Sequence, residues 1–433
     1  MSLPPLGARS PEKAADLRKQ ATVSGTRYVF FFPYVPPSGV SSLFVRMARA
    51  VVATGSRVRL VDFADGAMAR MARDDRGLEL TEYRRDGRIE IGADETLVLQ
   101  AELPGKLRRQ LAIHPAARLV EWQLHPYNLI PPALPVFGHR DFLLRRPGLY
   151  RTCLRWLAGG QTAATVEFVR RASVQRSLFF HDRPALLATE TYLGMQVPDP
   201  ILLPVPVAVP AAPERTGRTS GDELRVTWVG RLYDFKVHIL VHTLRRFRAA
   251  AAAAGKTVVF HVVGGGPKAA LLDEFSAPAP GLRVVRHGDL AAADLRRLLL
   301  EQTDLVASMG TAALEGAALG LPVILLDLAY AAVPADYRFR WLHRAEGYEL
   351  GHTITAADCG GEDTLPGMLA ELERDYAGLA ARAFAYVREH HAMEAVAARF
   401  ATLTAAAGLR FGDVPPEIWR KSAARRLYEN LRY

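Results

Sequence analysis

The sequence predicts an α/β protein made of two doubly wound domains in tandem. Short aromatic or β-branched runs alternate with helical patterns twice, across 27–207 and again across 224–327. Between the two series, VAVPAAPERTGRTSGDE (207–223) replaces the periodic pattern with Pro, Gly, Ser and Thr, as a linker does. The length of 433 residues suits two or three domains and excludes one small module.

The first series follows a polar leader. RYVFFFPYV (27–35) reads as a buried strand stopped by a Pro-Pro-Ser-Gly turn. From Ser41 to Ala53, Leu43, Phe44, Met47, Ala48 and Val51 share one helical stripe; Thr54-Gly55 ends it, and RVRLVDF completes a βαβ unit. Further strands are expected at ETLVLQ (95–100), ARLVEWQL (117–124), SLFFHD (177–182) and PILLPVPV (200–207). In the second series strand LRVTWVG precedes a helix from about Lys236, and KTVVFHVVGGG precedes a helix at 267–275. RVVRHG, a helix at 291–301, DLVAS, a helix at 311–319 and PVILLD follow, and 368–433 reads as mostly helical. The expected domains are 24–206 and 222–385, with helices over 386–433.

Composition narrows the class. Apolar residues form 49% and charged residues 23%, which fits a folded enzyme-sized protein. Cys153 and Cys359 are far apart, with no CxxC and no Cys/His cluster, so no disulfide framework or structural zinc site is expected and a reducing cytosol fits. There is no run of eighteen apolar residues, and MSLPPLGARSPEKAADLRKQ lacks the apolar centre of a secretory signal, so neither membrane spanning nor export by that route is expected. The formal net charge of +10 favours anionic partners. Nine arginines against three acids between 140 and 183 give +6 there, which is either a solvated helical face or a surface for anionic lipid.

Candidate site residues gather at the carboxyl ends of second-series strands, where open α/β sheets bind ligands. In WVGRLYDFK, Gly230 ends a strand, Arg231 follows and Lys236 opens the next helix; a bidentate guanidinium and a second point charge can clamp a diphosphate. HVVGGGP, with Gly265 at its centre, is a strand-to-helix turn without GxGxxG spacing, and a tight turn serves it as well as a phosphate loop. In ASMGTAALEGAALG, Met309, Gly310, Thr311 and Ala312 form a small-residue turn into a helix whose free amides suit phosphate oxygens. Glu315, one turn in, can accept from the paired hydroxyls of a ribose or merely favour the helix dipole. In the first series, Gly39 lies in the loop after the first strand, and His125 follows LVEWQL, where it can donate to a sugar or phosphate or simply complete a turn.

These segments occur in an order that resembles the C-terminal half of GT-B glycosyltransferases, and they look most like glycosyltransferase family four. PYVPPSGVSSLFVRMARAVVATGSRVRLV is similar to that family's first βαβ unit. The resemblance implies two Rossmann-like domains and a terminal helical segment that crosses back to the N-terminal one. It implies a nucleoside-diphosphate sugar donor, UDP- or GDP-linked, with Arg231 and Lys236 on the diphosphate, Glu315 on the ribose, Gly39 near the phosphates and His125 near the transferred sugar. It further implies metal-independent, retaining hexosyl transfer to a glycan or lipid-linked acceptor, in cell-surface polysaccharide or glycolipid synthesis. No bound cofactor, structural metal or nucleic-acid partner is expected. The family usually has a second glutamate eight positions before Glu315; here Ala307 stands there.

Two other functions fit the same segments. A nucleotide-sugar epimerase on this fold needs an acid and a base flanking the sugar and no acceptor. A catalytically silent sugar-nucleotide-binding partner of a synthase complex is compatible with Ala307. Last, DVPPEIWRKSAARRLYENLRY (413–433) has Asp413 as an expected cap and Trp419, Ala423, Leu427 and Leu431 at spacings of four, leaving a basic face suited to an anionic membrane surface.

Overall fold

The structure is a computed structural model that describes residues 25–419 apart from 37, 85, 105–109, 133–145, 219–222, 278 and 363. The leader, Arg140 and Arg145 of the basic stretch, part of the linker and the helix expected beyond Trp419 lie outside the described residues.

The chain divides into two compact units. Of the described residues, one gathers those up to Trp122 with Glu167–Phe179 and those of Ala397–Arg420; the other gathers those of Gln123–Val166 and Phe180–Val396. Residues 397–420 thus rejoin the N-terminal part of the chain, as a crossing-back C-terminal segment requires.

In the first unit, β1 (Arg27–Phe31), β2 (Arg57–Asp62), β3 (Glu79–Glu82), β5 (Glu95–Gln100) and β7 (Arg118–Gln123) pair in parallel. The sheet that contains them runs β3-β2-β1-β5-β7-β8-β9, with β8 at Leu178–Phe180 and β9 at Ile201–Leu202, a strand of residues grouped with the other unit, while β4 (Ile89–Ile91) and β6 (Leu111–Ile113) form a separate pair. Strand β1 ends at Phe31, earlier than the 27–35 run suggests, because Pro33 cannot donate to a ladder. Strand β9 shortens for the same reason, with Pro204 and Pro206 in its expected second half. The helix Gly39–Ala53 is capped by Ser38, whose Oγ accepts from Ser41 N–H at 3.1 Å, and it buries Leu43, Phe44, Met47, Ala48 and Val51. Phe400, from the helix Met393–Ala405, packs on Tyr28, Phe30 and Trp122 with ring centroids 5.6–6.1 Å apart. The expected helix start at Asp413 is instead a 3-10 turn, Phe411–Asp413, in which Asp413 accepts from Arg410 N–H at 2.9 Å.

In the second unit the strands are β10 (Leu224–Val229), β11 (Val258–Val263), β12 (Leu282–Gly288), β13 (Leu305–Ser308), β14 (Val323–Leu325) and β15 (Arg340–Trp341). They run β12-β11-β10-β13-β14-β15, parallel except for β15. The order reverses between β10 and β13, which is the switch point where such sheets open a ligand crevice. Helices Asp234–Ala253, Ala292–Glu301 and Thr311–Ala318 follow the predicted pattern, but Ala269–Phe275 is a 3-10 helix. Trp228, Phe247, Phe260 and Trp341 anchor its core.

Candidate functional site

Two loops meet at the switch point of the second unit. Ser308 Oγ, at the end of β13, donates to Val229 O at the end of β10 over 2.9 Å, so the two strand ends are tied. Gly230 follows β10 because an added Cβ would lie 3.0 Å from the buried Trp228 ring. Beyond it Arg231 is exposed, its guanidinium 5.0 Å from the Tyr233 ring centroid. Lys236 is half-buried on the first turn of Asp234–Ala253, its Nζ 5.8 Å from the Phe235 ring. Burial, and then the nearby Arg231 charge, push the Lys236 amine below its ordinary value. Neither cation has a carboxylate partner among the described residues, and the two like charges sit close together. An arriving anion would relieve that repulsion.

The glycine loop is built against this one. Gly264 has φ +117, and an added Cβ would lie 2.1 Å from Gly230 O; Gly266, with φ +155, approaches Leu232 O at 2.5 Å by the same measure. Leu232 N–H donates to Gly265 O at 2.8 Å and Lys268 N–H to Leu232 O at 3.1 Å. Gly265 N–H is engaged by Asp289 Oδ1 at 2.9 Å. The glycines therefore let two backbones touch, and the Gly265 amide is already used.

The turn after β13 differs in part from expectation. Gly310 takes φ +65, ψ −147 as the cap residue, and its N–H donates to Leu350 O at 2.9 Å. Its amide is thus spent inside the protein, and Met309, 4% exposed, contributes to the core. The anion-facing donors reduce to the first-turn amides of Thr311–Ala318, which has no side-chain cap. Thr311 and Ala312 are half-buried and Glu315 is exposed one turn on. Ala307 is fully buried among core residues and offers no polar group.

An ionic cluster that the sequence reading missed braces this turn. Asp327, just past β14, is fully buried. It accepts from Tyr337 Oη at 2.8 Å, from His352 N–H at 3.0 Å and from the Arg340 guanidinium. Arg340 also pairs with Glu349, and His352 bonds Glu349 through Nδ1 and Asp358 through Nε2 at 2.8 Å. Burial disfavours the imidazolium, but hydrogen bonds to Asp358 and Glu349 outweigh it and push His352 up to about 10. Burial likewise opposes ionisation of Asp358, yet the His352 and Thr355 bonds bring it down to about 2. Oxygen and nitrogen atoms of Asp327, Glu349 and His352 lie within 4.8 Å of one another, as a metal site would require. Here the Arg340 guanidinium supplies the positive charge. The cluster holds the 349–352 segment, whose Leu350 carbonyl receives Gly310 N–H.

Of the remaining predicted residues, His125 is exposed and takes its proton on Nε2, since Nδ1 accepts from Tyr127 N–H at 3.3 Å. Tyr127 Oη in turn bonds Thr353 Oγ1 at 2.7 Å, pinning the HPYN segment within the second unit. Gly39 belongs to the first unit, where it is the first residue of its helix and has open space at the Cβ position. The first unit has its own cavity of about 400 Å³ at the carboxyl edge of its sheet, lined in part by Phe31, Tyr34, Glu102, Glu121 and Trp419. Burial, and then the Glu102 charge, hold the Glu121 carboxyl well above its ordinary value. Glu121 escaped sequence reading because it sits mid-strand in LVEWQ, where nothing local marks a buried carboxyl beside a cavity.

Residues 223–341 match the family model of Glycosyl transferases group 1. No curated protein matches the chain. Among solved structures it is similar to TarM, at 10% identity and a TM-score of 0.55, covering 89% of this chain and 99% of that one. It is also similar to HepE of Anabaena, solved with UDP-glucose, at 14% identity and a TM-score of 0.51, covering 88% and 99%. A third is WaaG, a glycosyltransferase involved in lipopolysaccharide biosynthesis, at 16% identity and a TM-score of 0.50, covering 87% and 99%. The fold is GT-B, and the second unit carries the group 1 segment. The group 1 match is confined to residues 223–341, and the solved structures, at 10–16% identity, share the fold of the whole chain.

Proposed function

We propose that the protein moves a hexosyl group from a nucleoside-diphosphate sugar to a glycan or lipid-linked acceptor, in cell-surface polysaccharide or glycolipid synthesis. The observation that carries this is the pair Arg231 and Lys236, two cations with no carboxylate partner among the described residues, at the switch point beside an uncapped helix start. They stabilise negative charge as it builds on the departing diphosphate, a role that otherwise falls to a divalent metal. A UDP-sugar is favoured by the likeness to HepE, which was solved with UDP-glucose, with a GDP-sugar as the next choice. Retention of configuration belongs to this reading, as does a place on the inner face of the cytoplasmic membrane; no helix among the described residues is long and apolar enough to cross one. His125 stands near the transferred sugar.

Thermal shifts with a panel of nucleoside diphosphates test the donor assignment. A ligand at one hundred times its dissociation constant stabilises by roughly 2.7 kcal/mol, so the preferred base should stand out. A flat response across the panel contradicts it.

Glu315→Gln is expected to weaken binding of the ribonucleotide while sparing inorganic pyrophosphate, because a carboxylate accepts at both oxygens and an amide at one. Equal affinity of the wild-type protein for the ribose and 2′-deoxyribose forms makes Glu315 structural. Activity is expected to persist in EDTA. A reaction that stops with chelator and returns with magnesium or manganese assigns the charge stabilisation to a metal. The silent-partner reading draws on the buried Ala307, and donor binding without transfer in any extract would favour it.

A further inference from the structure

The helix Pro147–Leu157 shows what part of the basic stretch is for. It buries only Tyr150 and Leu154, one turn apart, in a small cluster with Tyr127, Ile130 and Tyr192. Cys153 packs half-buried against the same cluster, and most of the remaining side chains face outward. Trp156 is 80% exposed, with Leu157 at 54% and Leu149 at 43%, and Leu149 and Trp156 fall two turns apart on one face. Burying so little of a tryptophan is costly in water, since a ring of that size gains most from leaving it.

Charge accompanies the apolar face. From 146 to 166 the chain has three arginines, 146, 151 and 155, and no acidic residue. All three are exposed, and among the described residues Arg151 and Arg155 have no carboxylate partner. They sit one turn apart and line a groove of about 550 Å³ with Thr152, Thr162 and Tyr192. The Arg151 stem lies beside the Gly194 turn, where an added Cβ would come within 3.5 Å of its Cδ. A cationic groove next to an exposed tryptophan matches the water–lipid boundary, with phosphate headgroups above and acyl chains below.

We propose that Pro147–Leu157 is the membrane-docking element of this protein, with Trp156, Leu157 and Leu149 entering an anionic bilayer surface and Arg151 and Arg155 receiving lipid phosphates. This rests on the membrane-surface part of the reading above and names the surface responsible. The donor site does not depend on it.

Tryptophan emission reads the contact directly, because Trp122, Trp228 and Trp341 are buried and Trp419 is half-buried. The whole protein is mixed with phosphatidylcholine vesicles, with and without phosphatidylglycerol, at low and physiological salt. A blue shift and co-sedimentation are expected with the anionic vesicles, weaker at the higher salt. Trp156→Ala should abolish the shift, and Arg151→Gln/Arg155→Gln should lower partitioning by about 30-fold at two near-surface cations. Soluble glycerol phosphate should leave the emission unchanged. Binding that persists in both variants, an unshifted Trp156 in sedimented protein, equal partitioning to neutral vesicles, or the same shift with glycerol phosphate would each overturn the proposal. Nucleoside-diphosphate affinity measured in parallel should be unaffected in all variants, so a failure here is distinct from a failure of the donor assignment.

Discussion

Replacing Arg231 and Lys236 together by alanine is expected to lower affinity for the preferred nucleoside diphosphate by roughly 10²- to 10⁴-fold, from the loss of two charge-assisted contacts of about 1.5–3 kcal/mol each. The single substitutions should not add up to the double. After burial, Arg231 is the second cause of the depressed Lys236 amine, so Arg231→Ala removes a phosphate contact and at the same time eases part of that depression. The same coupling sets the pH dependence. The charged lysine binds the anion, and its value is lowered, so affinity falls as pH rises, earlier than an ordinary lysine would cause. In Arg231→Ala that alkaline loss moves to higher pH. Calorimetry across pH measures both effects, and an exposed Arg231 leaves the melting temperature of the free protein nearly unchanged. Unchanged affinity in the double variant removes the diphosphate clamp.

Asp327→Ala should be the most damaging single substitution in stability, at about 3–5 kcal/mol, because it removes one partner from a buried ionic group. It strands the Arg340 guanidinium and the Tyr337 hydroxyl, and it frees the His352 amide. The damage should reach the donor site, since the 349–352 segment carries the carbonyl that holds Gly310 N–H. Asp327→Asn, which keeps an acceptor and loses the charge, should cost less. Urea midpoints at constant slope measure the stability loss, and calorimetry of the nucleotide measures its transmission. A variant as stable as the parent would show that Arg340 is satisfied by Glu349 alone.

The cluster also fixes a pH window. His352 is raised from its ordinary 6.5, so its contribution is full below that value and is lost as pH rises through about 10. Asp358 is lowered from 3.8, so its contribution is full above that value and is lost as pH falls through about 2. The Asp358 contribution is therefore full through the physiological range, while that of His352 already declines above 6.5 and is gone only beyond about 10.

Strand-ending residues were the most legible part of the sequence. Gly230, Arg231 and the SMGT turn stand at boundaries where β-branched runs stop, and the structure places them at one switch point, with Lys236 on the helix that follows. The polar strand Glu79–Glu82 was not legible, because three of its four residues face water and no apolar alternation marks it. The 3-10 character of Ala269–Phe275 was hidden as well, since its apolar spacing suits either helix. Among site residues, the use of the Gly310 and Gly265 amides by Leu350 and Asp289 could not be read in advance, because both partners come from distant loops. The Asp327 cluster had one sequence signal, an acid directly after the apolar run PVILL, but its partners Arg340, Glu349, His352 and Asp358 have no spacing that marks them as a group.

The most direct test of donor transfer uses UDP- and GDP-sugars radiolabelled in the hexose, incubated with the protein and a membrane extract, followed by separation of donor, free sugar and acceptor fractions. Label should move from one donor to a glycan or lipid fraction with release of the nucleoside diphosphate, and should not move with Arg231→Ala/Lys236→Ala. Label that stays on a donor shown by calorimetry to be bound would contradict the transferase and leave a sugar-nucleotide-binding partner in its place.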